Sequence, residues 1–257
     1  ISYTEFSYQV LQGFDFLELF RQYGCVLQTG GSDQWGNLTS GTDLIRKVEG
    51  ASAHAIGTPL ITNSDGTKFG KSEGNAIWLD PEMCSPYRFY QFWLNQADAD
   101  VIDRLKVFTF LTRADIAELE RLVEDEPFRR AAQKRLALEV TTLVHGAEAT
   151  QAAIDASEAL FGRGELAALD AGTLQAAIAE LPSARGTGGS GIAQLLVDSG
   201  LVASSSEARR AISQGGIYVN NVAVTSEDQA LQASDLLHGR FAILRRGKKT
   251  LAGIADE

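Results

Sequence analysis

Two lysines, Lys68 and Lys71, stand three positions apart in DGTKFGKS, residues 65–72, in a chain whose acidic side chains outnumber its basic ones by 33 to 23. Gly66 and Gly70 admit backbone angles that a Cβ forbids, so both ammonium groups can approach one polyanion. The run supplies G-x-x-x-G-K-S, one residue short of the G-x-x-x-x-G-K-[ST] of a phosphate-binding P-loop. That deficit counts against a P-loop nucleotidase and leaves a loop whose lysines grip a polyphosphate as charge develops on it. A hydrogen bond to a charged oxygen contributes ~1.5–3 kcal/mol, so two that form only during phosphoryl chemistry are worth several decades in rate. The competing reading is an exposed hairpin with solvated lysines.

Tyr8, Gln12 and Asp15 fall at i, i+4 and i+7 and so share one helical face. Phe6, Val10, Leu11, Phe14, Phe16 and Leu17 make the neighbouring surface apolar, which predicts that the trio is partly desolvated. A carboxylate there needs donors, and a ligand could supply them. Without a ligand, the same trio is a solvated stripe. In GGSDQWGN, residues 30–37, glycines at the end of a predicted strand let a ligand lie against backbone, where open α/β sheets bind ligands. Asp33 could accept from ribose hydroxyls and Gln34 could bridge to a small zwitterion. The alternative makes Asp33 a helix N-cap and Trp35 core packing.

The elements that must hold these residues alternate. Residues 6–23 have a helical pattern, 25–28 form a short apolar run entering the glycines, 37–47 predict a second helix, and 59–62 a second buried strand. The order suggests half of an α/β parallel sheet over 1–84. From about residue 85 to 180 the pattern is helical. Leu136, Val140, Leu143 and Val144 keep one face, Gly146 stands where a C-cap would, and His145 is placed to favour the negative end of the helix dipole. The Gly/Ser-rich run 181–191 predicts a linker. Beyond it, 191–200 and 206–214 read as short helices and 216–221 as a strand entering a turn, a small α+β module over 192–257.

Composition narrows the classes. At 257 residues and 44% apolar the chain can bury a core throughout. No apolar run reaches the ~18 residues of a membrane span, and ISYTEFSYQV lacks the marks of a secretory signal, so a cytoplasmic protein is expected. Cys25 and Cys84 are isolated and predicted to be buried; with His54, His145 and His238 scattered, no metal site is expected. A formal charge of −10 opposes non-specific binding of nucleic acid, so a polyanionic partner must meet local basic patches. Arg209 with Arg210, and Arg245, Arg246, Lys248 and Lys249, supply such patches, with solvated surface arginines as the alternative. The chain opens at Ile1 as though mid-domain, which suggests a piece of something longer.

Taken together, KFGKS, GGSDQWGN, the Tyr8/Gln12/Asp15 helix and SPYRFYQFW resemble the bacterial tyrosyl-tRNA synthetases, a class I aminoacyl-tRNA synthetase family whose KMSKS signature the lysine loop varies, with Phe69 and Gly70 in place of Met and Ser. The module from Leu195 to Asn220 is similar to the RNA-binding fold of ribosomal small-subunit protein four. The resemblance implies a Rossmann-like α/β catalytic domain, of which this chain carries the second half, then an α-helical domain and an RNA-binding domain. It implies that Lys68, Gly70, Lys71 and Ser72 meet the ATP phosphates, that Gly31 and Asp33 meet the ribose, that Tyr8 and Gln12 hold the ammonium of L-tyrosine, that Gln34 lies near its polar head and that Asp15 receives its phenol. Mg²⁺ would accompany ATP without protein ligands, the partner would be tRNA(Tyr), and the complete enzyme would be a homodimer. The H-x-G-H signature of class I enzymes is missing, since His54-Ala55-Ile56-Gly57 has a single histidine. The expectation is that the first half-domain precedes Ile1 and that this portion alone does not form tyrosyl adenylate. A tryptophan-specific relative would have no evident use for Asp15 beside Tyr8; a non-catalytic RNA-binding protein would not need the lysine loop.

Overall fold

A capping box opens the first helix. Ser2 Oγ accepts from the Glu5 N–H at 3.2 Å while Glu5 Oε2 accepts from the Ser2 N–H at 2.7 Å, so α1 runs Tyr3–Tyr23, three residues ahead of the apolar periodicity. Gly24, at φ 66°, ends it. The computed structural model describes residues 2–64, 69, 77–161, 164–247 and 250–256. Lys68, Gly70, Lys71, Ser72, Lys248 and Lys249 lie outside the described residues. The chain divides into two units, residues 1–76 and 77–257.

In the first unit α1 is followed by β1 (Leu27–Gly31), a 3-10 turn over Ser32–Gln34, α2 (Trp35–Glu49) and β2 (His54–Thr58). The strands pair in parallel, from Leu27 opposite His54 to Gly31 opposite Thr58. This is the α/β half-sheet expected, with two shifts. β1 starts two residues later than the apolar run 25–28 and takes both glycines into the ladder. The second strand is β2 and not 59–62, whose Pro59 has no N–H to donate to a ladder. Neither strand is buried as predicted: Leu27 is 45%, Ile56 50% and Leu60 42% exposed. Helix α1 packs on α2 through Phe16, Leu17 and Ile45, with Phe20, Leu44 and the half-buried Cys25 around them. Each fully buried side chain in such a cluster contributes about 1.5–3 kcal/mol.

The second unit begins with α3 (Pro86–Leu94), α4 (Asp98–Phe108), α5 (Arg113–Asp125), the long α6 (Ala131–Leu160) and α7 (Ala171–Ala179). The SPYRFYQFW run is α3: Ser85 Oγ caps the Arg88 N–H, Pro86 takes the first turn where its missing donor is harmless, and Tyr87, Phe89, Tyr90 and Trp93 are buried. Burial pushes the Tyr87 hydroxyl up to about 12, with the Glu180 carboxylate adding to it. Burial likewise raises the Cys84 thiol, in keeping with an inert packing role.

Two expectations about α6 need correction. Leu136 and Val140 are buried, but Leu143 is 61% exposed; Gly146, at φ 84° and ψ 167°, ends the first helical stretch of the span as expected, and a second stretch continues beyond the kink. His145 does stand at the helix end before that kink, but burial works against its charged form there. Its Nε2 is buried without a hydrogen-bond partner among the described residues, its ring packs edge-on to Phe89 with centroids 4.8 Å apart, and burial lowers its pKa. A charged imidazole there would lose hydration that nothing restores.

The run 181–191 is not a free linker. It carries β3 (Ser183–Arg185), which pairs in parallel with β7 (Thr250–Ala255), and Gly189 donates to the Leu231 carbonyl at 2.7 Å. Glycine composition suggested slack, but the buried Gly186 is hemmed in by Leu195 and Ile254, where a side chain would collide. Helices α8 (Ile192–Asp198) and α9 (Ser205–Ser213) follow, then β4 (Ile217–Val219), β5 (Val222–Ala223) and β6 (Phe241–Arg246), giving a sheet of order β3-β7-β6-β4-β5. Asn220 and Asn221, at φ 46° and 68°, make the turn expected after the strand, and it closes a tight hairpin between β4 and β5. The Asn221 side chain donates to the Ala159 carbonyl at 2.9 Å, tying this module to the end of α6.

Candidate active site

The cavity that matters in the first unit has a volume of about 750 Å³ and is lined by Thr4, Glu5, Tyr8, Gln9, Asp33, Gln34, Gly36 and Asn37. Three predicted residues, Tyr8 from α1 and Asp33 and Gln34 from the turn after β1, therefore converge on one space. Gln12 and Asp15 do not line it; they continue the α1 face beyond it. A Cβ at Gly31 would fall 2.7 Å from Asp33 Oδ1 and 3.3 Å from Leu60, so a side chain there would push the Asp33 carboxylate aside. Asp33 is not an N-cap but the middle of the 3-10 turn, and Trp35 is 52% exposed and lies over Gly57 instead of filling a core.

The expected desolvation of the Tyr8/Gln12/Asp15 face is also corrected. Tyr8 is 59% exposed, and Phe6, Val10, Leu11 and Phe14 beside it are more than half exposed. The reason is rotational: α1 buries Gly13, Phe16 and Leu17 against α2 and turns the other face outward. A larger cavity of about 880 Å³ touches Gln9, Ser40, Arg46, Lys47 and His54 but none of the predicted ligand contacts. Its cations are committed, since Arg46 and Lys47 both pair with Asp43 at 2.5 Å.

The sequence reading passed over Gln9 and Asn37. Gln9 Nε2 donates to the Gly36 carbonyl at 2.9 Å, and the Ser40 hydroxyl donates to the Gln9 carbonyl at 3.3 Å, so α1 clasps the first turn of α2. Asn37 Nδ2 donates to Gln34 Oε1 at 2.8 Å. The i, i+3 spacing of Gln34 and Asn37 inside GGSDQWGN was the available signal.

In the second unit Arg209 and Arg210 are exposed on α9. Arg246 is otherwise engaged: it donates to the Leu201 carbonyl at 2.9 Å and pairs with Glu207 at 2.8 Å, bracing α9 against the sheet. Its guanidinium is thus already paired within the module while the side chain stays 40% exposed. Arg245 stacks on Tyr218 at 3.9 Å and donates to the Gly247 carbonyl at 2.6 Å. Glu207 is held below the ordinary carboxylate range, first by the Ala203 N–H it accepts and then by Arg246. A carboxylate depressed on folding adds stability above its unfolded value of 4.5, and this is lost as pH falls through the folded value. Glu207→Gln is therefore expected to lower the melting temperature at pH 7, by an amount that shrinks as the pH is taken down through the acid range, as thermal melts over a pH series will show.

Among the described residues no group of His, Cys, Asp and Glu gathers to hold a metal ion, and no helix is long and apolar enough to cross a membrane. The model of the family "tRNA synthetases class I (W and Y)" matches residues 1–162. The chain belongs to this class I tRNA synthetase family. The model of the tyrosine–tRNA ligase SYY-like C-terminal domain matches residues 173–253 of the same synthetase chain. It is 68% identical over 258 residues to the tyrosine–tRNA ligase of Leifsonia xyli subsp. xyli, covering 100% of this chain and 58% of the relative. With the tyrosine–tRNA ligase of Streptomyces avermitilis it shares 61% over 255 residues, 99% of this chain and 60% of that one. The chain thus spans about 60% of the length of the curated relatives it matches. Among solved structures, a C-terminally truncated mitochondrial tyrosyl-tRNA synthetase of Aspergillus nidulans superposes with a TM-score of 0.51 at 33% identity, over 60% of this chain and 44% of that one. The resemblance and the Rossmann-like α/β assignment are borne out at the level of family and fold.

Proposed function

We propose that the protein is a tyrosine–tRNA ligase. The tyrosine carboxylate attacks the α-phosphorus of ATP, pyrophosphate leaves, and the 3′-terminal hydroxyl of the tRNA then takes the tyrosyl group from the adenylate and releases AMP. The observation that carries this reading is the convergence of Tyr8, Asp33 and Gln34 on one 750 Å³ cavity in a chain of this family. Tyr8 and Gln12 hold the ammonium, Asp33 with the Gly31 backbone meets the ribose, and Asp15, one turn beyond Gln12, accepts the phenolic O–H. An amino acid without that hydroxyl leaves the acceptor unpaired, which is how such a site rejects phenylalanine. Lys68 and Lys71, with Gly70 and Ser72, stabilise the leaving pyrophosphate. Magnesium enters with ATP on the substrate's own phosphates. The protein contributes position and charge more than proton transfer. Tyrosine-dependent exchange of pyrophosphate into ATP, by the protein made to the full length of its relatives, tests the reading; no exchange refutes it.

The exposed pair Arg209 and Arg210 gives the small sheet module a phosphate-facing edge. Arg209→Glu with Arg210→Glu is expected to weaken tRNA binding and to lower the slope of log affinity against log salt by about 1 for each lost contact. Titrations at several salt concentrations measure it, and an unchanged slope removes the phosphate role.

A further inference from the structure

We propose that Gln9 is a positioning residue that holds the Tyr8 end of α1 against the head of α2, and so sets the spacing between the groups that grip the amino acid and those that meet the ribose. This rests on the ligase reading above, in which Tyr8 and Gln12 belong to α1 while Gly31 and Asp33 belong to the end of β1 and the turn after it. The backbone joins these two sets only the long way round. From Tyr8 to the end of α1 at Tyr23 is about 22 Å of helix, at about 1.5 Å per residue, before the chain turns at Gly24 toward β1. Packing does not shorten that path. The buried residues of α1 are Gly13, Phe16 and Leu17, so its apolar grip on α2 lies in the second half of the helix, and none of residues 3–12 is buried.

Between the first half of α1 and α2 the described residues make two hydrogen bonds, and both run through Gln9. Its Nε2 donates to the Gly36 carbonyl at 2.9 Å, and its own carbonyl accepts from the Ser40 hydroxyl at 3.3 Å. A backbone carbonyl can only accept, so the first bond also fixes which side of the amide faces it. Gly36 lies in the first turn of α2, directly after the turn that carries Asp33, and Gln9 lines the 750 Å³ cavity beside Tyr8. Adenylate formation needs the reacting atoms within about 3–3.5 Å, and a displacement of about 1 Å costs on the order of 10²-fold. A first half of α1 released from α2 carries Tyr8 away from the turn and leaves Gly31 and Asp33 where they are. Gln9 therefore acts on the amino acid through Tyr8, and the ribose contacts do not depend on it.

The test compares two substitutions in the full-length protein. Gln9→Met keeps the length and helix preference of the side chain but has no donor. Its kcat/KM for tyrosine in pyrophosphate exchange is expected to fall about 3- to 12-fold, as for one neutral hydrogen bond, while the KM for ATP stays within about two-fold of the wild-type value. Gln9→His, assayed at about pH 8 where the imidazole is neutral, offers an Nε2–H at a similar reach and should stay within about two-fold of the wild-type rate. In Tyr8→Phe, which removes the hydroxyl that Gln9 positions, the further change Gln9→Met should cost about two-fold or less. No loss in Gln9→Met, equal losses in Gln9→Met and Gln9→His, or an undiminished loss in the Tyr8→Phe background overturns the proposal. A wild-type protein without exchange refutes the ligase reading instead, so the two failures are distinct.

Discussion

Replacing Lys68 and Lys71 together by alanine, in the full-length protein, is expected to slow tyrosine-dependent pyrophosphate exchange by about 10²- to 10⁴-fold, two charge-assisted hydrogen bonds at ~1.5–3 kcal/mol each. The loss should fall on kcat and not on the affinity for tyrosine, because in the proposed mechanism the lysines answer charge that appears on the pyrophosphate only as it departs. Lys68→Ala and Lys71→Ala singly should each lose about 10- to 100-fold, and the pair need not sum, since both grip one leaving group. The isosteric uncharged change Lys71→Met should resemble Lys71→Ala, whereas Lys71→Arg should recover part of the rate. Single-turnover adenylate formation distinguishes this from slow product release. If the double variant forms adenylate at the parental rate, the lysine loop has another purpose and the ligase mechanism loses its electrostatic centre.

What the sequence could and could not show follows from the range over which each signal acts. Capping, helical period and turn chemistry are local, so α1, α8, α9 and the Asn220–Asn221 hairpin were legible within a residue or three. The glycine pair of GGSDQWGN marked the site for the same reason. Burial is not local. The apolar residues flanking Tyr8 and Asp15 predicted desolvation, but which face of α1 meets α2 depends on Gly13 and Gly41, a helix away from each other in sequence. The run 181–191 looked slack because glycine composition cannot report a partner strand some 70 residues distant, and β7 turns that run into a sheet edge. The bracing role of Arg246 was equally hidden, since its partners Leu201 and Glu207 lie 45 and 39 residues away. The bond of Gln9 to Gly36 across two helices carries no motif, and the Gln34–Asn37 pair is announced only by its i, i+3 spacing.

Gly41→Val should unseat the first unit and with it the proposed tyrosine pocket. A Cβ at position 41 would lie 2.7 Å from Phe16 Cδ1 and 3.1 Å from Phe16 Cβ, and Phe16 is 1% exposed. The ring has nowhere to go, since Leu17 and Ile45 close the same cluster. Overpacking of this kind costs about 1–3 kcal/mol, and occasionally more. Glycine in a helix interior is itself worth about 0.5–1 kcal/mol less than alanine, so Gly41→Ala is partly offset by propensity, and the branched valine, a poorer helix former, is the cleaner probe. The contrast is Gly36→Ala, also in α2, whose new methyl meets only Gln9 Nε2 at an ordinary 3.5 Å and should be neutral or slightly stabilising. Hydrogen exchange on the α1 and α2 amides reads both: faster exchange in Gly41→Val, no loss of protection in Gly36→Ala. Because Tyr8 rides on α1 while Asp33 and Gln34 sit at the head of α2, separating the helices opens the cavity that they share. Tyrosine binding should therefore weaken in step with the lost protection in Gly41→Val. A variant that loses protection yet binds tyrosine as before would show that the pocket does not depend on this packing.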